Sequence, residues 1–138
     1  MNRKWLLVLV AADLFILSIL DRIAFRYFLY WRLSWFDIVM HLIGGLAVGL
    51  LSGWAYLEQI QKSEEKKVIS WRGILVFNLS FAVVVTILWE FFELWADRIV
   101  RFSPLDSLKD VLVGIIGSLL AGLIIGKIAI WRNQKNLS

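Results

Sequence analysis

Four apolar stretches dominate this sequence, at 5–28, 36–56, 71–95 and 105–131. Each has about the length, roughly 20 residues, that a helix needs to cross the hydrocarbon of a bilayer. Backbone in that medium must satisfy its own hydrogen bonds, which a helix does within one segment. The expected fold is therefore all-α: a polytopic membrane protein of four transmembrane helices in a single integral membrane domain over 1–138. Composition agrees, with 60% hydrophobic and 19% charged residues and a mean hydropathy of +0.76, outside the range of soluble domains. The absence of cysteine excludes disulfides and thiolate metal sites. The net charge of +4 comes from Lys and Arg near helix ends, which points to membrane orientation and lipid contact, with no nucleic-acid partner.

The basic start Asn2-Arg3-Lys4 and the small residues Val10-Ala11-Ala12 imitate a signal peptide. The apolar run between them is too short, and apolar sequence resumes after Asp13, so the segment reads as an uncleaved first span. An aromatic and basic stretch, 30–36, follows as an interface segment. The one long polar run, 58–70, reads as a solvated loop or a frayed helix end. Pro104 follows Ser103 where a helix favours proline, at its first position. The N-terminus, the 58–72 loop and the C-terminal end together carry nine Lys and Arg against six on the other side. By the positive-inside rule both termini are cytoplasmic in a multi-pass protein of the cell inner membrane. Trp5, Trp54, Trp71 and Trp131 fall at the inner level, and Trp31, Trp35, Trp89 and Trp95 at the outer one.

The chain also repeats itself. Arg32-x-Ser34-x-x-Asp37-x-x-x-His41 aligns with Arg101-x-Ser103-x-x-Asp106-x-x-x-Asp110, 69 residues later, and the alignment continues through Gly45 and Gly114, Gly49 and Ser118, Gly53 and Gly122. Two tandem hairpins in parallel orientation are expected, about 5–57 and 71–131, related by an axis along the membrane normal. The alternative is a chance likeness between glycine-rich spans, against which the Arg-x-Ser-x-x-Asp match stands. Both copies carry an every-fourth stripe that ends in small residues, a surface suited to close helix approach within the chain or to a second copy in a homo-oligomer.

Ionisable groups in apolar helices cost roughly 2.5–3.5 kcal/mol each at a helix centre. Alternating helix directions put Asp37 and His41, Glu90 and Glu93, and Asp106 and Asp110 at one level, whichever way the chain inserts. Their i,i+3 and i,i+4 spacings give each pair a common face. Carboxylates and imidazole projecting inward from facing helices are the usual recipe for a metal site in a helical bundle. The candidate metal ligands are Asp37, His41, Glu90, Glu93, Asp106 and Asp110, for a divalent ion among Mg, Mn, Ca, Zn and Fe. Glu90 and His41 are the candidate catalytic groups, and Arg32 and Arg101 the candidate contacts for a substrate phosphate. Plainer roles compete: Asp37 and Asp106 as helix caps after Ser34 and Ser103, His41 as a hydrogen-bonded core residue, Glu90 and Glu93 as ion-pair partners of arginine, Arg32 and Arg101 as snorkelling anchors.

In order, Asp37-x-x-x-His41-x-x-Gly44-Gly45, Trp89-Glu90-x-x-Glu93 and Asp106-x-x-x-Asp110 with its small-residue stripe resemble a bacterial family of small, functionally uncharacterised inner-membrane proteins typified by YjdF, which is loosely similar to the VanZ-like family. The resemblance covers 37–122. It implies a polytopic membrane fold and, through the association of VanZ-like proteins with glycopeptide tolerance, the cell envelope. That family often has Asn four residues after the second Asp, where this chain has Gly114.

Two functional classes fit the sequence, one enzymatic and one not. One is metal-assisted hydrolysis or transfer on a lipid-linked or cell-envelope substrate at the outer interface. The other is non-enzymatic: cation or proton binding and transport, or structural assembly in the membrane. Below His41 and Asp110 the stripes turn to Gly and Ser, which favours a one-sided pocket over a pathway. Ser52, Ser80, Thr86 and Ser118 have no base nearby in sequence, so a covalent nucleophile is not indicated.

Overall fold

The computed structural model describes residues 4–62, 70–95 and 103–135, and among these the regular elements are all helices. In chain order they are α1 (Lys4–Tyr27), α2 (Leu29–Arg32), α3 (Phe36–Lys62), α4 (Trp71–Trp95) and α5 (Pro104–Lys135). Three have stretches long and apolar enough to cross a membrane: Phe36–Ile60, Trp71–Trp95 and Pro104–Trp131. The expectation of four spans is thus met on length and composition by three helices. α1 has 24 residues but is interrupted by Asp13, Asp21, Arg22 and Arg26.

Element ends follow local chemistry. α1 stops at Phe28, which takes a left-handed conformation with φ 57° and turns the chain into the single turn of α2. The Phe28 ring packs edge-on against Trp31, with centroids 5.7 Å apart. Of the stretch expected at the interface, 30–36, the residues 30–32 are therefore helical. α3 continues past the apolar run to Lys62, whose ammonium lies 3.5 Å from Glu58 on the same face. Pro104 opens α5 as its spacing predicts, and the Ser103 carbonyl accepts from the amides of Asp106 and Ser107.

α3 is the central element and packs against α1, α4 and α5; α5 also packs against α4. One apolar cluster joins Leu6, Leu57, Ile74, Ile125 and Ala129, and another joins Ala24, Phe36 and Met40. The start of α1 thus lies by the end of α3 and the end of α1 by the start of α3, so the two run antiparallel over their length. Between these clusters the fully buried residues of α3, α4 and α5 are Ser52, Asn78, Ser118 and small residues, while Val76, Val84, Leu88, Leu112, Ile116 and Ile124 face outward. Large apolar groups outside and small or polar groups inside are the distribution a bilayer favours, because lipid offers no hydrophobic drive for helices to associate.

The small-residue stripes lie between α3 and α5. A Cβ on Gly45 would meet the backbone of Gly114, and one on Gly49 the backbone of Ser118. The helices meet backbone to backbone, as the stripes predict. The same contact occupies Gly45 and Gly49 within one chain, so these glycines do not form the face for a second copy that the sequence suggests.

Candidate metal centre

Phe36 and Met40, one turn apart on α3, are buried against α1 at Ala24. Asp37 and His41 each follow one residue later, a rotation of about 100° that turns them from α1 toward α4 and α5. On α4 the buried positions step by four, Ile74, Asn78, Ala82 and Thr86, and the next step is Glu90, with Glu93 a further turn along. Asp110 is buried on the second turn of α5. The beginnings of α3 and α5 and the end of α4 thus bring their acidic residues to one end of the bundle.

His41 is at the centre of this group, its side chain only 7% exposed. Its Nε2 lies 3.7 Å from Asp37 Oδ1, 3.9 Å from Glu90 Oε1 and 3.8 Å from Glu93 Oε2. These separations are too long for hydrogen bonds. Asp37, His41 and Asp110 form one set whose potential ligand atoms all lie within 4.8 Å of one another, and His41, Glu90 and Glu93 form a second. Glu90 Oε1 is buried with no hydrogen-bond partner. Glu93 Oε1 accepts a hydrogen bond from Trp89 Nε1 at 2.9 Å, which leaves Oε2 for the imidazole side. Asp37 closes the group at its rim, 45% exposed.

Five of the six candidate ligands are therefore brought together. Asp106 is not: its carboxylate is exposed, accepts from Lys109 Nζ at 2.8 Å, and also bonds the Ser103 side chain. Of the candidate substrate contacts, Arg32 is exposed at the end of α2, and Arg101 lies outside the described residues.

The structure adds residues that the sequence reading passes over. Tyr30 donates its hydroxyl to Asp21 Oδ1 at 3.0 Å. Burial first, then the carboxylate of Asp21, holds this phenol above its ordinary range, and it also feels Asp37 and Glu93. Tyr30 is accordingly a proton-bearing neighbour of the site, and Asp21 is engaged with it. Asn78 is the second addition; its place in the series 78, 82, 86, 90 is a signal present in the sequence. Thr86 turns its hydroxyl back to Ala82 O at 2.8 Å and its methyl toward Gly114, so it offers no nucleophile.

Over residues 3–132 the sequence matches the family described as a predicted membrane protein (DUF2238). The chain belongs to that family. Comparisons of this DUF2238 member with the curated proteins and with the solved structures each gave no match. The family assignment makes it a membrane protein, and the Asp/His/Glu group is one that could hold a metal ion.

Proposed function

We propose that this DUF2238 protein holds a divalent cation between His41, Asp37, Glu90, Glu93 and Asp110, at the outer end of a four-span membrane bundle. The observation that carries the reading is the approach of three carboxylate oxygens, from two helices, to one imidazole nitrogen at 3.7–3.9 Å. One nitrogen can serve one hydrogen bond, and four carboxylates in a buried group repel one another. A single divalent ion answers both problems. Two donors each about 2.1 Å from a shared ion can stand up to about 4.2 Å apart, which accommodates these separations.

The chemistry that fits is metal-assisted hydrolysis or transfer on a lipid-linked or cell-envelope substrate. An ion held here supplies Lewis acidity and a water of lowered pKa. Glu90 turns Oε1 toward His41, so its other oxygen, Oε2, is the one assigned to take a proton, and His41 orients the cluster. Arg32, exposed at the end of α2, is available to a substrate phosphate, and Arg101 is assigned the same part from its sequence position. Two observations support the accompanying topology. α1 runs antiparallel to α3 along its length with Val8 and Phe15 exposed, which suits a fourth span. The facing pairs Gly45 with Gly114 and Gly49 with Ser118 are each 69 residues apart, as two parallel hairpins about a common axis require. The excess of Lys and Arg assigns both termini to the cytoplasm. A pathway for protons or cations across the membrane is the weaker reading, because it must pass Gly45 and Gly114, where the backbones touch beneath His41 and Asp110.

Purified protein in detergent, loaded with Mn²⁺ or Zn²⁺ and desalted, should retain about one ion per chain by elemental analysis. His41→Ala and Glu93→Gln should lose it. A wild-type protein that retains no more than His41→Ala would remove the metal reading.

A further inference from the structure

The cluster depends on α4 standing at the right height against α3 and α5, and apolar contacts in a bilayer fix height weakly, since lipid and leucine are equally apolar. On the α4 stripe that ends in Glu90, three steps of four toward the other end of the bundle, stands Asn78, with no exposed surface. Its Nδ2 donates to Gly49 O on α3 at 3.2 Å and to Ser118 O on α5 at 3.3 Å. Its Oδ1 accepts from Ser52 Oγ on α3 at 2.9 Å. The reversed amide would set an oxygen against two carbonyl oxygens, so the chemistry admits only this orientation. Both carbonyls belong to residues where α3 and α5 meet backbone to backbone. One carboxamide therefore ties three helices at one level, with both its donors and its acceptor in use.

We propose that Asn78 is the positioning residue of the site: it sets the height of α4 against α3 and α5 and so delivers Glu90 and Glu93 to His41. The consequence for ion binding rests on the metal reading above; the consequence for helix height does not. A slip of α4 by one turn, about 5.4 Å, would carry Glu90 beyond reach of an ion held at His41. Ser52→Ala removes one of the three bonds and should have a smaller effect than loss of the amide.

The chain has no cysteine. Spin labels on Ile38→Cys and Leu94→Cys, two exposed positions at the site end of α3 and α4, therefore report the α3–α4 distance in the full chain without background. With Asn78 in place a single narrow distance distribution is expected. Asn78→Leu, and Asn78→Ala in case the leucine does not fit, should shift or broaden it, by up to about 5 Å for a slip of one turn. The same variants should weaken Mn²⁺ affinity about tenfold, the scale of losing a residue that orients ligands. A merely destabilising substitution lowers the unfolding temperature without moving the distance in the folded protein. An unchanged distribution in folded Asn78→Leu or Asn78→Ala overturns the proposal, whatever the ion affinity. A shifted distribution in a protein whose wild type binds no ion keeps the role of Asn78 and removes the metal reading alone.

Discussion

Asp37 and Asp106 occupy aligned places in the sequence, at the starts of α3 and α5, yet their carboxylates meet different partners. Asp37 has His41 one turn on, and the residue between them that aligns with Lys109 is Met40, buried against α1. Asp106 has Lys109 within reach on an exposed turn and bonds it at 2.8 Å. On the exposed first turn of α5 the Lys109 ammonium takes up the carboxylate, and at position 40 of α3 there is no such cation. Asp106→Asn should therefore leave Mn²⁺ affinity within about twofold, while Asp37→Asn should lower it about tenfold, roughly 1.4 kcal/mol, by titration calorimetry. The sequence shows the level of His41, Glu90, Glu93 and Asp110, because an ionisable residue in an apolar helix has few reasons to be there. It does not separate Asp106 from them, because i,i+4 spacing gives the face of a helix and not the side-chain rotamer. Tyr30 is illegible for another reason: its link to Asp21 depends on the turn at Phe28, a left-handed residue that no glycine announces.

At the scale of elements, the contact between α3 and α5 shows which glycines matter. Gly45 and Gly114 are opposite each other with no room for a Cβ, whereas a Cβ on Gly44 would meet nothing within 4 Å. Gly45→Val should force the helices apart and destabilise the protein by about 1–3 kcal/mol. Gly44→Ala should be neutral or stabilising by up to about 1 kcal/mol, since alanine is the better helix former. Equilibrium unfolding in mixed micelles distinguishes these, and equal losses at the two positions would contradict the packing described. The stripes make this contact readable in advance because every-fourth spacing and small size are local properties. The clamp at Asn78 is half-readable: its phase with Glu90 is local, but its partners on α3 and α5 come from distant parts of the chain.

For the whole molecule, α1 is the element on which topology turns. With four spans and cytoplasmic termini, Lys4 and Ser70 lie on one side of the membrane and Trp35 on the other. Single substitutions Lys4→Cys, Ser70→Cys and Trp35→Cys should react accordingly with an impermeant maleimide on intact cells, Trp35→Cys alone being labelled from outside. Labelling of Lys4→Cys together with Trp35→Cys would place α1 on the membrane surface instead. What the sequence determined by itself is the medium and the materials: helices of membrane length, small-residue faces, and acidic groups at a common level, all of which follow from hydropathy and spacing along one dimension. The tertiary structure alone decided that one imidazole gathers carboxylates from α3 and α4, with Asp110 of α5 beside them, while Asp106 turns to Lys109 and Asn78 binds carbonyls of two other helices. The physical reason is that convergence depends on the rotation and height of each helix against its neighbours. Backbone contacts such as Gly45 with Gly114, between residues far apart in the chain, set both.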